Sequence, residues 1–168
     1  MARNIFLLAL TFVAVAVYGN GTIAQVPAAV AAPGETQVAT FQGEGAQIYE
    51  SEAGSDGKLG WVFREPIATL LLGAKTVGRH YAGPTWEDVD GSAVTGKAVG
   101  NSPGATVNDI PWLKLDAVSH RGSGTLANIT TVQRLDTHGG AADGPCDKAG
   151  TFRSVPYSAT YVFLRNGG

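Results

Sequence analysis

The body of this chain contains no stretch with helical periodicity, and that absence limits its fold more than any other feature. Apolar residues recur in short runs of β-strand character, such as 47–50 and 59–64. Turn formers separate these runs, consistent with a content of 23 Gly and 8 Pro. About seven to nine short strands, with turns about every 8–12 residues, predict a single all-β antiparallel domain. Periodicity alone leaves both a β-sandwich and a small β-barrel open.

Several strands can be placed from local pattern. Apolar and polar side chains alternate over 113–118, which predicts a strand with one face on a core. The last strand, 157–164, is apolar on both faces, which favours a central position in the sheet. Glu65-Pro66 predicts a break between strands at 59–64 and 68–72.

The N-terminus has the features of an export signal. Arg3 precedes a 13-residue stretch, Ile5 to Val17, whose only polar member is Thr11, and small residues at 22–24 offer a cleavage site after Ala24. A 13-residue helix rises about 20 Å, short of the roughly 30 Å hydrocarbon core. We therefore expect a Sec-type signal peptide at 1–24 and a secreted or periplasmic protein. An uncleaved anchor or a buried helix is the alternative.

The rest of the chain divides into two parts. An Ala/Pro-rich spacer is expected at 25–35 and a single β domain at 36–168. No cysteine directly follows the apolar stretch, so a lipid anchor is not expected, and no later apolar run is long enough to span a membrane after signal cleavage. A formal net charge of −2 without a Lys/Arg cluster argues against a nucleic-acid partner.

No assembled catalytic motif is present, so the sequence favours a protein that is not an enzyme. Residues 121–124 (Arg-Gly-Ser-Gly) lack the spacing of a nucleophile elbow. Ser119 and His120 are adjacent on a predicted strand and therefore point to opposite faces. The only cysteine, Cys146, lies in a turn-like setting without an activating neighbour. No cofactor can be assigned.

The histidines leave a metal site open as an alternative. His80, His120 and His138 are the only three in the chain, and three imidazoles can hold one zinc or copper ion. No local ligand motif such as HxH or HExxH joins them. The other interpretation is that they lie at the surface or at strand ends and bind backbone groups.

The segments 79–87 and 108–112 combine aromatic, charged and turn-forming residues. A tryptophan beside Gly and Pro at a strand end is typical of a shallow site for a sugar or another small ligand. Tyr81 and Trp86 flank Gly83-Pro84, so we expect at least one of these rings at a strand end. The competing interpretation makes the tryptophans ordinary core residues. The candidate ligand-binding residues are Arg79, His80, Tyr81, Trp86, Glu87, Asp109 and Trp112.

Five strings occur in order along the chain: WVFREPIATLL, GRHYAGPTWE, DGSAVTGK, NDIPWLKL and VPYSATYVFL. With them, the chain from about Thr36 to Arg165 resembles a family of exported bacterial proteins with fungal relatives, known as a domain of unknown function (family number 3455). The resemblance implies a secreted or periplasmic single β-rich domain of no established activity.

The resemblance also implies a missing disulfide. Members of this family often carry a cysteine shortly after the tyrosine of the first strand, where this chain has Ser51 after Tyr49-Glu50. If that cysteine pairs with the one matching Cys146, this chain lacks a bridge that closes a loop of about 95 residues. Such a bridge is nominally worth about 4–5 kcal/mol in the chain-entropy model.

Taken together, the sequence favours an exported, non-enzymatic β module that binds a ligand or associates with the cell envelope. Its partner would be an unidentified small molecule or envelope component. The alternative is a metal-binding protein or metal-dependent enzyme that uses His80, His120 and His138.

Overall fold

Eight antiparallel strands form one closed sheet in the computed structural model, which describes residues 26–167. Each strand pairs with the next, and the last pairs with the first, so the sheet is a closed barrel. The all-β antiparallel prediction is confirmed, and closure selects the barrel over the sandwich. The strands are β1 (Glu35–Ala53), β2 (Leu59–Leu72), β3 (Lys75–Tyr81), β4 (Thr85–Asp88), β5 (Ala93–Ser102), β6 (Trp112–Arg121), β7 (Thr131–Gly139) and β8 (Phe152–Asn166).

Strand β8 closes the barrel because it pairs with β1 on one side and with β7 on the other. Like every strand of this closed sheet, it has a neighbour on each side, so the described strands include no edge strand against which its predicted central position can be tested. Its alternate residues Tyr157, Ala159, Tyr161 and Phe163 are all buried in the core. Strands β1, β2 and β8 are longer than the predicted short strands, at 19, 14 and 15 residues.

The barrel interior is packed around large aromatic side chains. Trp86, Tyr161 and Phe163 are at most 1% exposed, and burial of rings of this size dominates the energetics of a small core. Gly43 on β1 makes room for them, because a Cβ at this position would lie 2.5 Å from the Tyr161 ring. The tight packing of the centre therefore depends on the absence of a side chain at Gly43, which lies against the Tyr161 ring.

One end of the barrel is covered by the segment 122–130, which we call the floor. Leu126 and Ile129 from this segment are fully buried in the core. The floor is held by the β4–β5 turn, since Asp90 accepts a hydrogen bond from Thr125 N (2.7 Å) and Ser92 Oγ accepts one from Leu126 N (3.0 Å). This end of the interior is therefore apolar and filled.

At the other end, β1, β2 and β8 continue past the barrel as a three-stranded extension. The last pair of β3 with β2 is His80 with Ala68, and the last pair of β7 with β8 is Gly139 with Tyr157. Beyond these pairs, Pro66 and Pro156 pair only with β1. Proline has no N–H to offer an outer neighbour, so it is tolerated on these free edges.

The predicted break at Glu65-Pro66 is wrong. Strand β2 runs without interruption from Leu59 to Leu72. The register shifts between Ile48, which pairs with Glu65, and Tyr49, which pairs with Phe63. The chain therefore accommodates Pro66 with an edge position and a nearby bulge, which local sequence reasoning could not distinguish from a turn.

The segment predicted as a spacer is anchored to the barrel wall. A 3-10 turn at Ala28–Val30 is the only helical segment among the described residues. Val30 is fully buried, and its carbonyl accepts a hydrogen bond from Gln133 Nε2 (2.6 Å). No helix in residues 26–167 is long and apolar enough to cross a membrane. The predicted signal peptide, 1–24, lies outside the described residues.

Candidate functional site

Three of the predicted ligand-binding residues meet on the outer surface of the barrel. Glu87 Oε2 accepts hydrogen bonds from Tyr81 Oη (2.8 Å) and Arg79 Nη2 (3.0 Å). Arg121 from β6 reaches the same oxygen with Nη2 at 2.8 Å, a contact that sequence reasoning missed. The hydrogen bonds from Tyr81 and then Arg79 hold the pKa of the Glu87 carboxyl below its ordinary value. These groups satisfy one another, so the arrangement is a surface ion network.

His80 and Trp86 lie on the other side of the sheet. They pair across β3 and β4, are 2% and 1% exposed, and belong to the barrel interior. His80 Nδ1 donates to the Thr85 carbonyl at 2.9 Å, and burial lowers the pKa of the imidazole to about 3. The interpretation of Trp86 as a surface ligand contact is therefore replaced by that of a core residue. The alternation of strand faces separates these two residues from Arg79, Tyr81 and Glu87.

Asp109 lies in the connection between β5 and β6, and Trp112 is the first residue of β6. Both oxygens of Asp109 accept backbone hydrogen bonds, Oδ1 from Gly139 N (2.6 Å) and Oδ2 from Thr106 N (2.9 Å). These bonds, the first from Gly139, hold the pKa of the Asp109 carboxyl below its ordinary value. Trp112 is half-buried at the start of β6. Within residues 26–167, no hydrogen bond or ion pair joins either residue to Glu87.

The three histidines do not form a metal site. His80 is buried in the interior, His120 Nε2 donates to the Ile129 carbonyl at 2.6 Å, and His138 is exposed beside Asp136 at 3.5 Å. In the described part of the chain, no group of three or more His, Cys, Asp or Glu side chains could hold a metal ion. The metal-binding alternative is therefore not supported by the arrangement of its proposed ligands.

A polar cluster that sequence reasoning missed lies inside the barrel at the end opposite the floor. Arg134 on β7 pairs with Tyr161 of β8 and with Leu113 of β6, so its side chain shares their interior face. The Tyr157 and Tyr161 hydroxyls lie 2.9 Å apart, and Tyr49 Oη donates to the Gly140 carbonyl at 2.7 Å. We call this cluster the arginine mouth; it comprises Gln47, Tyr49, Arg134, Tyr157 and Tyr161.

Within residues 26–167, no carboxylate pairs with the charge of Arg134. Its Nε and Nη2 donate to the Pro111 carbonyl at 3.0 and 2.8 Å. Burial lowers the pKa of its guanidinium, and the nearby tyrosine hydroxyls, Tyr161 first, act in the opposite direction. Arginine stays protonated in proteins, so the mouth holds a permanent positive charge.

Buried polar atoms without partners lie along one face of β1 and β2. Gln47 is 2% exposed and Ser51 is 1% exposed, and Gln47 Nε2 and Ser51 Oγ have no hydrogen-bond partner within the described residues. Trp61, which pairs with Ser51, has an unpartnered Nε1. A buried donor without an acceptor costs about 1–3 kcal/mol, so a water molecule or a ligand that reaches one of these atoms would gain from pairing with it.

Part of the inward-facing side of β5 is exposed to solvent. Ala98 and Asn101 on β5 pair with Leu115 and Leu113, whose side chains pack in or against the core. Directly opposed residues share a face of the sheet, so Ala98 and Asn101 face inward. Both are nevertheless exposed. Leu113 joins Asn101 to Arg134 in the register, and Arg134 is half-buried, so the arginine mouth is accessible along the β5–β6 wall.

A second recess, of about 370 Å³, opens beside the floor. Its lining includes the exposed aliphatic side chains Val38, Leu72 and Val89. It contains none of the unpartnered buried polar atoms found among the described residues. The arginine mouth is therefore the better candidate for specific recognition.

The fold and the site define an all-β protein with eight antiparallel strands in one closed sheet and a polar, accessible interior at one end. Residues 71–165 match the family of proteins of unknown function DUF3455, and the chain belongs to this family. No curated protein and no solved structure matches the chain.

Proposed function

We propose that this protein is an exported binding module that takes a small molecule or an envelope component at the arginine mouth, without catalysing a reaction. One observation carries the proposal. Inward-facing Ala98 and Asn101 are exposed on the β5–β6 wall, where Leu113 joins Asn101 to Arg134 in the register, and Arg134 is itself only half-buried, so the interior is polar and reachable at this end while the floor is filled. A concave, partly apolar space with a few converging polar groups is the usual form of a small-molecule site.

A blocking substitution tests the site. Ala98→Trp places a ring in the mouth at an exposed position, so it should leave stability nearly unchanged and abolish binding. Lys97→Trp is the matched control, because Lys97 is also exposed, and it points to the opposite face of β5. We would screen a library of metabolites and cell-envelope fragments by thermal shift and confirm hits by calorimetry. Hits that bind the wild type and the Lys97→Trp variant but not Ala98→Trp support the proposal. Hits that bind all three proteins equally contradict it.

Export is supported by the leader at 1–24, with its Arg3 and the apolar stretch from Ile5 to Val17. N-terminal sequencing of protein recovered from the periplasm or the medium should start at or near Gln25. Recovery of a chain that still begins at Met1 would contradict cleavage. Recovery from the cytoplasm alone would contradict export.

A further inference from the structure

We infer that the ligand of the arginine mouth is a small organic carboxylate with an apolar body. This inference rests on the proposed function, because it names the chemical class that the same site would bind. It follows from the charge of Arg134, from the geometry of the guanidinium edge that does not face the Pro111 carbonyl, and from the residues that surround the guanidinium.

The charge of Arg134 calls for a negative partner. Buried or partly buried charges in proteins are normally paired, and Arg134 forms no ion pair within residues 26–167. The Pro111 carbonyl accepts two of its hydrogen bonds but carries no net charge. Tyr49, Tyr157 and Tyr161 surround the guanidinium and are neutral at physiological pH, since burial raises the pKa of each. An anionic ligand would supply the missing charge.

The geometry of the guanidinium favours a carboxylate. The Pro111 carbonyl occupies the Nε–Nη2 edge, so a second acceptor group would bind the Nη1–Nη2 edge and share the guanidinium with the Tyr161 hydroxyl. Two oxygens of a carboxylate match such an edge in a bidentate hydrogen bond. One arginine balances one negative charge, which fits a carboxylate better than a phosphate monoester with its second charge.

The surroundings of Arg134 fit the rest of such a ligand. Gln47 Nε2, which lacks a partner in the described structure, supplies a further donor on the Tyr157 side of the mouth. Leu113 and Ala98 line the open side with apolar surface. A carboxylate bound to Arg134 would therefore place an aromatic or aliphatic body against the β5–β6 wall.

The experiment compares carboxylates with their neutral isosteres. Binding of benzoate and benzamide, and of hexanoate and hexanamide, is measured by calorimetry on the intact protein. We expect each carboxylate to bind at least about tenfold more tightly than its amide, the size of effect that a charge-assisted bidentate pair provides. Equal binding of acid and amide would overturn the inference.

Substitutions assign the preference to Arg134. Arg134→Gln removes the charge and should abolish the preference for the acid, whereas Arg134→Lys keeps the charge and should retain part of it. Both changes also weaken or remove the two hydrogen bonds from Arg134 to the Pro111 carbonyl. Thr137→Val is therefore the control, because it removes the neighbouring bond from Thr137 Oγ1 to the Ile110 carbonyl (2.6 Å) and leaves the charge in place. If Arg134→Gln retained the preference for the carboxylate over the amide, or if Thr137→Val lost it, the preference could not be assigned to Arg134.

The failures of the two proposals can be told apart. If a neutral library hit binds and Ala98→Trp abolishes its binding, while no carboxylate is preferred, the site stands and the ligand class is wrong. If no library member and no carboxylate binds the wild-type protein, both proposals are wrong.

Discussion

The imidazole of His80 lies flat against the indole of Trp86, with ring centroids 4.5 Å apart and an interplanar angle of 6°. Tyr161 meets both rings at an angle, at 5.0 Å from His80 and 5.4 Å from Trp86. Because the Thr85 carbonyl can only accept a hydrogen bond, His80 carries its proton on Nδ1 and is neutral. A histidine here behaves as an aromatic core residue with one polar anchor.

Trp86→Ala should lower the free energy of unfolding by about 3–5 kcal/mol, because it leaves a cavity beside His80, Tyr161 and Phe163. Urea denaturation measures the change. Trp86→Phe is the matched control and should cost clearly less, since it retains a six-membered ring and loses only the smaller ring of the indole, whose N–H has no partner in the described structure. A loss below about 1 kcal/mol for Trp86→Ala would show that Trp86 is not a core residue.

His80 should make stability depend on pH. In the folded protein the pKa of His80 is lowered from 6.5 to about 3, so below pH 6.5 the unfolded chain binds a proton that the folded chain does not. The free energy of unfolding should therefore decrease as the pH is lowered through this range, by about 2 kcal/mol from pH 8 to pH 5.

Urea denaturation at both pH values tests this dependence. His80→Phe should remove most of the difference, whereas His138→Gln, a change at an exposed histidine, should leave it intact. An unchanged difference in His80→Phe would assign it to another group.

Asp90→Ala should weaken the attachment of the floor, segment 122–130, to the β4–β5 turn. The Asp90 carboxylate accepts hydrogen bonds from Ser92 N (2.8 Å), Ser92 Oγ (2.6 Å) and Thr125 N (2.7 Å), and these bonds hold its pKa below the ordinary value. Loss of this acceptor should cost about 1–3 kcal/mol and accelerate amide exchange over 122–130. Asp56→Ala in an exposed turn is the control and should change stability by less than about 0.5 kcal/mol. Unchanged exchange in the floor would contradict this role of Asp90.

Ser51→Cys should form a disulfide with Cys146 and raise the melting temperature under oxidising conditions. The Ser51 N–H donates to the Thr151 carbonyl (2.9 Å) and the Gly150 N–H donates to the Ser51 carbonyl (2.8 Å), so the chain four residues after Cys146 is hydrogen-bonded to Ser51. Thiol titration in denaturant should find one free sulfhydryl in the wild type and none in the oxidised variant. Reduction should return the melting temperature to that of the wild type. Two free thiols in the oxidised variant would show that the positions are too far apart or the bond too strained.

The local sequence pattern was sufficient to predict most of the strands and the burial of alternate residues in β8. Alternation and turn residues act over a few positions, so they predicted the antiparallel all-β class and the apolar face of 157–164. The same alternation separates His80 from Arg79 and Tyr81. The ligand-site prediction overlooked this, because it treated 79–87 as a contiguous cluster.

The arginine mouth could not be predicted because it depends on long-range register. Arg134 meets Tyr161 and Leu113 through pairings of β7 with β8 and with β6. Arg121 reaches Glu87 across β5 in the same way. Neither relationship has a local signal. The one clue in the sequence is an arginine two residues after Val132, on the core-facing side of a Thr- and Val-rich run.

The pairing of β1 with β8 closes the barrel, and it must form late in the synthesis of the chain. It joins residues 35–50 to residues 152–166, so the barrel cannot close before almost the whole domain has been synthesised. Until then, β1 lacks one of its two neighbours, and the core has no Tyr157, Tyr161 or Phe163. Contacts so distant in sequence form slowly. A nascent chain of this design therefore cannot complete its barrel until its synthesis is nearly over.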